Sequence, residues 1–160
     1  MCGISGWFGF RNPDLPLPIL DQIVNGVMRH RGPDGARWQL QSHDLPQGKV
    51  SVCFLHSRLA IIDRSEAAAQ PMRCGPFAIV TNGELYNYVE LRDMLKFYGH
   101  EFRTQSDTEV MLAAIQAWGL ERALDKFEGM WAFALHDERQ PDQLILCRDR
   151  FGEKPLYYLQ

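Results

Sequence analysis

The sequence of 160 residues has few cysteines and no close cluster of metal-ligating residues, and these absences exclude two classes of protein. The four cysteines lie far apart and form no Cys-x-x-Cys pair, which argues against a disulfide framework. The five histidines are not closely paired with each other or with the cysteines, so we expect no metal site.

Long apolar runs and basic runs are also missing. No apolar stretch reaches membrane-spanning length, and positions 1–15 contain no basic segment followed by a long apolar one. We therefore expect a cytoplasmic protein without a membrane partner. The formal net charge of −3 and the lack of a basic run predict no nucleic-acid partner. The length suits one domain with a substantial core.

A cysteine directly follows the initiator methionine, and its small side chain leads us to expect that Met1 is removed. Removal gives Cys2 a free α-amino group beside its own thiol, which places a nucleophile and a base in one residue. Such an amine has a pKa of about 7.7–8.0 and could accept the thiol proton, as in N-terminal threonine nucleophiles. The alternative is that Cys2 is only a small residue tolerated after Met1.

Apolar patterning predicts strands and helices along the whole chain. The predicted strands are 4–9, 50–55, 77–81, 129–135, 143–147 and 155–159, and the predicted helices are 17–28, 88–98, 107–118 and 121–127. A turn is expected at Asn12-Pro13-Asp14 and a polar loop at 29–35. Because the pattern at 155–159 stops without a turn signal, we expect the chain to be a piece of a longer protein.

Several polar residues near the ends of these elements have chemistry that suits one small ligand. Arg58 follows a buried strand, and its planar guanidinium suits a carboxylate. The Asn82 side chain and the Gly83 backbone each offer an N–H, and such a pair can hold an oxyanion. Glu84 could receive a cation or an amide. Asp107, kept ionised by the positive end of a helix, could meet an ammonium.

Each of these residues also has a simpler interpretation. Arg58 alone is compatible with a solvated surface arginine. Asn82-Gly83 is typical of a hairpin turn, and Asp107 follows Ser106 as an ordinary acid in the first turn of a helix. The spacing of the residues does not show that they converge.

A series of motifs, taken in order along the chain, resembles the N-terminal glutaminase domain of asparagine synthetases. These are class II glutamine amidotransferases of the N-terminal nucleophile hydrolase group. The motifs are MCGI (1–4), RHRGPDG (29–35), HSRLAIID (56–63), QPM (70–72), NGELYNY (82–88), SDTEV (106–110), FEGMWAFALHD (127–137) and RDRFGEKPLYY (148–158).

The resemblance implies an α+β fold, a four-layer α-β-β-α sandwich of two antiparallel sheets, formed by one amidotransferase domain over residues 1–160. It implies that Cys2 attacks the side-chain amide of L-glutamine and that its α-amine moves the proton. It further implies that Asn82 and Gly83 form the oxyanion hole, that Arg58 binds the α-carboxylate of glutamine, and that Asp107 with Glu84 binds the α-ammonium. The 29–35 loop is expected to lie over the substrate.

The same resemblance implies partners beyond this domain. The ammonia would pass to an ATP-dependent synthetase domain on the same chain, with ATP and Mg²⁺ as its cofactors, whereas the glutaminase domain itself needs none. The Ser-Gly-Gly-rich motif of that synthetase domain does not occur in these 160 residues. The amide acceptor and the oligomeric state, a homodimer included, are left open. The alternative function is a non-catalytic module of the same fold that binds glutamine or another subunit.

Overall fold

The computed structural model describes residues 1–10 and 16–160. The strands are β1 (Gly3–Gly9), β2 (Gly35–Leu45), β3 (Gly48–Arg58), β4 (Met72–Cys74), β5 (Phe77–Leu85), β6 (Gly129–Asp137) and β7 (Leu144–Arg148). The helices are α1 (Leu17–Gln22), which continues as a π-helical segment at Ile23–Val27, α2 (Tyr88–Phe97), α3 (Asp107–Trp118) and α4 (Leu120–Lys126). The predicted turn at 12–14 lies outside the described residues.

The strands form two antiparallel sheets. The first sheet has the order β1-β3-β2, and the second has the order β4-β5-β6-β7. Along β3, successive side chains face opposite sides, as the strand geometry requires. Cys53 and Leu55 pack against Leu20 of α1 and Val24 of the π-helical segment. Val52 and Phe54, on the opposite face of β3, face the second sheet.

The second sheet alternates in the same way and is covered by α2, α3 and α4. Ile79 of β5 and Phe133 of β6 are fully buried against these helices. On the other face of the sheet, Ala78, Val80 and Ala134 meet the first sheet. The layers are therefore helix, sheet, sheet, helix, and the predicted α+β sandwich is confirmed.

Side-chain hydrogen bonds around residues 104–109 fix the start of α3. Ser106 caps the helix by accepting a hydrogen bond from the Thr108 N–H at 3.1 Å. Arg92 of α2 is buried and donates to the Thr104 and Ser106 carbonyl oxygens. The side chain of Glu109 accepts from the Thr104 N–H instead of returning to Ser106. Asp107 is thus held at the first residue of a well-capped helix.

Three sequence predictions differ from the structure. Residues 35–45, for which no strand was predicted, form β2, the edge strand of the first sheet. Asn82 and Gly83 lie inside β5 and do not form a hairpin turn. Residues 155–159 do not form a strand, because no described strand pairs with them and most of their side chains are exposed.

Candidate active site

A cleft opens where the start of β1 and the end of β3 meet β5 and the start of α3. It is lined by the first two residues of the chain, by residues of β3, β5 and α3, and by residues of the connecting segments: Met1, Cys2, His56, Arg58, Leu59, Ala60, Ile61, Ile62, Asp63, Ala68, Gln70, Thr81, Asn82, Gly83, Glu84, Ser106, Asp107, Thr108 and Lys154. All six residues singled out from the sequence, Cys2, Arg58, Asn82, Gly83, Glu84 and Asp107, are among them. Residues up to 105 positions apart in sequence therefore share one cavity.

The position of Cys2 is fixed by the first sheet. The next residue, Gly3, begins β1 and pairs with Ser57 near the end of β3. The half-buried Cys2 Sγ accepts from the Leu59 N–H at 3.3 Å and lies 3.6 Å from the Leu59 carbonyl oxygen. The main chain of Leu59 therefore positions the Cys2 sulfur, a contact that the apolar side chain of Leu59 gave no reason to expect.

Arg58 ends β3 and is 8% exposed. Its guanidinium donates to the main-chain oxygens of Ser65, at 2.9 Å, and Asp63. Within residues 1–10 and 16–160 it forms no ion pair with a carboxylate. Because neutral carbonyl groups hold the guanidinium without neutralising it, the cleft keeps a fixed positive charge that suits a ligand carboxylate.

Gly83 is required by the close approach of the neighbouring strand. It faces Trp131 of β6, and an added Cβ would lie 2.4 Å from the Met130 carbonyl oxygen. The glycine therefore allows the backbones of β5 and β6 to pack. This reason differs from the sequence interpretation, in which the missing Cβ clears the way for a ligand.

The N–H of Gly83 is nevertheless directed toward the cleft side of β5. Alternate N–H groups of a strand point to the same edge, and those of Thr81 and Leu85 both point away from β6. The Thr81 N–H donates to Gln70 Oε1 at 2.6 Å, and the Leu85 N–H donates to Asp107 Oδ2 at 3.0 Å. Gly83 lies between them, and its N–H has no acceptor in the described part of the chain.

The side chain of Asn82 completes this donor pair. Asn82 is 6% exposed and lines the cleft, yet its amide makes no hydrogen bond with any described residue. The amide is therefore available to a ligand in the cleft. The Asn82 side chain and the Gly83 N–H are two neighbouring donors without an acceptor among the described residues, and an oxyanion hole requires two such donors.

Glu84 and Asp107 place negative charge at the other end of the cleft. Asp107 is buried, and its carboxylate accepts from the N–H groups of Leu85 and Thr108. Burial raises the pKa of Asp107 above its ordinary value, these two donors oppose the increase, and the neighbouring charge of Glu84 adds to it. The sequence interpretation considered only the helix end, which favours the charged form. A ligand ammonium would favour the charged form of Asp107.

His56 stands beside Arg58 in the same wall and is only 2% exposed. Burial, together with the charge of Arg58, lowers the pKa of His56 to about 4. The ring is therefore neutral at physiological pH, and it adds no charge next to the guanidinium. The sequence analysis did not single out His56, because a histidine inside an apolar strand is most often a packed core residue.

Two more cleft residues were not singled out. Gln70 is buried and joins β5 to α3 by accepting from the Thr81 N–H and donating to Thr108 Oγ1 at 3.1 Å. Lys154 enters the cleft from the loop after β7. Both belong to motifs that carried the family resemblance, QPM and RDRFGEKPLYY, which is the signal that could have found them.

The 29–35 loop does not line this cleft. Arg31 of the loop donates to the Cys2 carbonyl oxygen at 3.4 Å, and the Asp34 N–H donates to the Arg58 carbonyl oxygen at 3.0 Å. The loop therefore contacts the backbone of Cys2 and Arg58, and its Asp34 and Gly35 line an adjoining cavity together with cleft residues. Its expected position over the substrate stays a prediction.

The described residues contain no group of three or more His, Cys, Asp or Glu side chains placed to hold a metal ion. None of the helices within residues 1–10 and 16–160 is long and apolar enough to cross a membrane.

Comparisons with known proteins agree with this geometry. Residues 1–160 match the family model of the glutamine amidotransferase domain. Asparagine synthetase [glutamine-hydrolyzing] 3 of Bacillus subtilis is 37% identical over 163 residues, which cover 99% of this chain and 25% of the relative. Asparagine synthetase [glutamine-hydrolyzing] 1 of the same organism is also 37% identical, over 99% of this chain and 24% of the relative.

A solved structure of the allosteric regulatory enzyme of purine biosynthesis shares the fold. It has a TM-score of 0.54 and 27% identity, and the match covers 63% of this chain and 24% of that one. The chain spans about a quarter of the length of the curated relatives that it matches. With the match over residues 1–160, the chain belongs to the glutamine amidotransferase domain family, as its motifs predicted.

Proposed function

We propose that this domain hydrolyses L-glutamine to glutamate and ammonia. The observation that supports the proposal best is the convergence of nucleophilic, cationic, hydrogen-bond-donating and anionic groups in one cleft. A sulfur, a guanidinium, two N–H donors without an acceptor among the described residues, and two carboxylates line the cleft, and they come from both sheets and from α3. Glutamine supplies a complement for each, namely an amide carbon, a carboxylate, an amide oxygen and an ammonium.

In the proposed reaction, removal of Met1 frees the α-amino group of Cys2. The amine takes the thiol proton while Sγ attacks the side-chain amide carbon of glutamine. The developing oxyanion is held by the Asn82 side chain and the Gly83 N–H. The C–N bond then breaks, the amine gives its proton to the leaving nitrogen, and ammonia departs from a γ-glutamyl thioester. Water hydrolyses the thioester to glutamate and returns the thiol.

The remaining charges orient the substrate. Arg58 binds the α-carboxylate through its planar fork, and Asp107 with Glu84 binds the α-ammonium. Both anchors are fixed before the substrate arrives, Arg58 by carbonyl oxygens and Asp107 by N–H groups. Preorganised anchors reduce the loss of freedom on binding. We propose that these six residues form the site.

The relatives' names and lengths suggest where the ammonia goes. We propose that the domain supplies ammonia to an ATP- and Mg²⁺-dependent domain of the asparagine synthetase type within a longer protein. The glutaminase chemistry itself requires no cofactor, since the nucleophile, base and oxyanion donors all come from the chain. A cytoplasmic location is part of the proposal, and the four free cysteines suit a reducing compartment.

The test is ammonia release from glutamine by the natural full-length protein, with Met1 removal checked by intact-mass spectrometry. We expect Cys2→Ala to abolish release while the melting temperature stays close to that of the parent. Cys74→Ala, at a half-buried cysteine outside the cleft, is the matched control and should remain active.

Protein that retains Met1 should also be inactive, because its base is acylated. Ammonia release by Cys2→Ala at the parent rate would overturn the mechanism. Tight glutamine binding without turnover in the correctly processed parent would instead favour the non-catalytic module.

A further inference from the structure

Lys154 is a buried cation in the cleft that the proposed reaction does not use. It is 4% exposed, although an ammonium group is rarely buried without an acidic partner. Within residues 1–10 and 16–160, its Nζ has one polar contact, a donor contact of 2.9 Å to Met1 Sδ. A thioether is a weak acceptor, so most of the donor capacity of this ammonium is unused.

The position of Lys154 is fixed by a tightly bonded loop. The buried carboxylate of Asp149 accepts from the N–H groups of Phe151, Glu153 and Lys154, at 2.9 to 3.1 Å. It also accepts from the Trp131 N–H of β6 at 3.3 Å. These contacts tie the loop to the second sheet and hold the lysine stem against the cleft.

Further bonds come from Arg148, at the end of β7. Its Nε donates to the Lys154 carbonyl oxygen at 2.7 Å, and its Nη2 donates to the Gly152 carbonyl oxygen. The loop thus fixes the point from which the buried Lys154 side chain enters the cleft.

We propose that Lys154 keeps the α-amino group of Cys2 neutral, and so ready to act as the base of the glutaminase reaction. The Nζ lies at the side chain of Met1, the residue whose removal creates that amine. Once Met1 has left, the ammonium loses this contact and shares the cleft with the new chain start at Cys2. Because a nearby like charge disfavours protonation, the pKa of the amine falls below that of a free chain start.

The balance of charge around the chain start is consistent with this role. The charged and titratable side chains that line the cleft or contact Cys2 are Arg31 of the supporting loop, His56 and Arg58 of β3, Asp63 of the following segment, Glu84 of β5, Asp107 of α3, and Lys154.

The carboxylates in this set are already engaged or are assigned to the substrate. Asp63 accepts from the Ser65 and Gln105 N–H groups, and Asp107 with Glu84 is assigned to the ammonium of glutamine. His56 is neutral. Arg58 is assigned to the substrate carboxylate, which would offset its charge. Neither Lys154 nor Arg31 forms an ion pair with a carboxylate among the described residues, and of these two cations only Lys154 lines the cleft.

This inference rests on the proposed glutaminase activity, and its test is a pH profile of kcat/KM for ammonia release by the processed full-length protein. Lys154→Met removes the charge with little change in length. We expect the acidic limb of the kcat/KM profile to lie about one pH unit higher in Lys154→Met than in the parent. Well below the limb this is about a tenfold loss relative to the parent, and the loss should disappear at alkaline pH.

Lys154→Arg keeps the charge and should keep the limb near its original position. Lys96→Met, at an exposed lysine of α2, is the control for removing a cation elsewhere. Melting temperatures are measured for all variants. If Lys154→Met does not fold, Lys154→Gln makes the same comparison with a polar side chain.

A second measurement distinguishes a change in the pKa of the Cys2 α-amine from a change in the pKa of its thiol. The rate of Cys2 alkylation as a function of pH reports the thiol. An unmoved kcat/KM limb in an active, folded Lys154→Met protein overturns the inference, and so does a shift confined to the alkylation profile. If the parent itself releases no ammonia from glutamine, the proposed function fails first, which is a distinguishable result.

Discussion

The two sheets contribute to the cleft in different ways. The first sheet provides Cys2 and Arg58, both at strand ends, and it is covered by the short helical segment at 17–27. The second sheet provides Asn82, Gly83 and Glu84 from within a strand, and it is covered by three helices. The first wall therefore carries the proposed nucleophile and a cation, while the second wall carries hydrogen-bond donors and anions.

This difference shows how each wall is fixed. In the first wall, side chains leave a strand and are then held by nearby main chain, as Leu59 holds the Cys2 sulfur. In the second wall, the group proposed to act is part of the strand backbone, because the Gly83 N–H points out from the edge of β5. We expect changes in the second wall to disturb fold and activity together, and changes in the first wall to disturb binding with less effect on fold.

Gly83→Ala should give the largest effect, since it tests the second wall at its backbone. The new Cβ would lie 2.4 Å from a carbonyl oxygen of β6, so the strands must separate. We expect a loss of about 3 kcal/mol in the free energy of unfolding, together with the loss of ammonia release. Denaturant unfolding and the glutaminase assay measure the two effects.

The matched control for Gly83→Ala is Gly9→Ala in β1, where an added Cβ has no neighbour within 4 Å among residues 1–10 and 16–160. It should unfold within about 0.5 kcal/mol of the parent, as most surface substitutions do. Equal stabilities for the two variants would contradict the close-packing explanation of Gly83.

Arg58→Ala tests the first wall. The variant leaves the glutamine carboxylate without its cation, and we expect KM to rise about a hundredfold, with a smaller change in kcat. Steady-state kinetics of ammonia release measure both constants. Arg37→Ala, at an exposed arginine of the neighbouring strand β2, should leave KM unchanged. An unchanged KM in Arg58→Ala would remove this residue from the glutamine site.

The smallest expected effect concerns His56 and stability at low pH. Unfolded histidine binds a proton below a pKa of about 6.5, whereas His56 in the fold stays neutral until about pH 4. Between these values the unfolded state binds more protons, so stability falls as the pH is lowered. The expected loss is on the order of 2 kcal/mol.

His56→Gln should flatten this dependence in urea unfolding measured from pH 7 to pH 4.5. An identical slope in the parent and the variant would show that other groups cause the acid sensitivity. Because His56 belongs to the first wall, a flattened slope would also locate the acid-sensitive part of the fold there.

Much of the fold was predictable because several elements carry clear local patterns. Burial on both faces of β6 gives a continuous apolar run, and the cap at Ser106 marks the start of α3. The edge strand β2 was missed, although Trp38 and Leu40 alternate with Arg37 and Gln39, because its polar face is typical of a loop. The reverse error occurred at 155–159, where apolar residues predicted a strand that lacks a described partner.

The site was predictable in its residues but not in its geometry. Cys2 and Arg58 were singled out because their chemistry is visible in the sequence. The dipeptide Asn82-Gly83 is typical of a hairpin turn. Only the close approach of Trp131 across the sheet shows why this glycine lies within a strand. The roles of Leu59 and Gln70 depend on contacts between segments that no local pattern encodes.

The small side chains between the sheets have a consequence for substrate selection. Ala78 and Ala134 meet Val52 and Phe54 there and set how closely the two layers stack. Since the proposed nucleophile lies on one layer and the proposed oxyanion donors on the other, the distance between the layers sets the length of ligand that can reach both. We expect asparagine, one methylene shorter than glutamine, to fall short of the sulfur when its charged end is anchored. Length discrimination would then be set by residues that never touch the ligand.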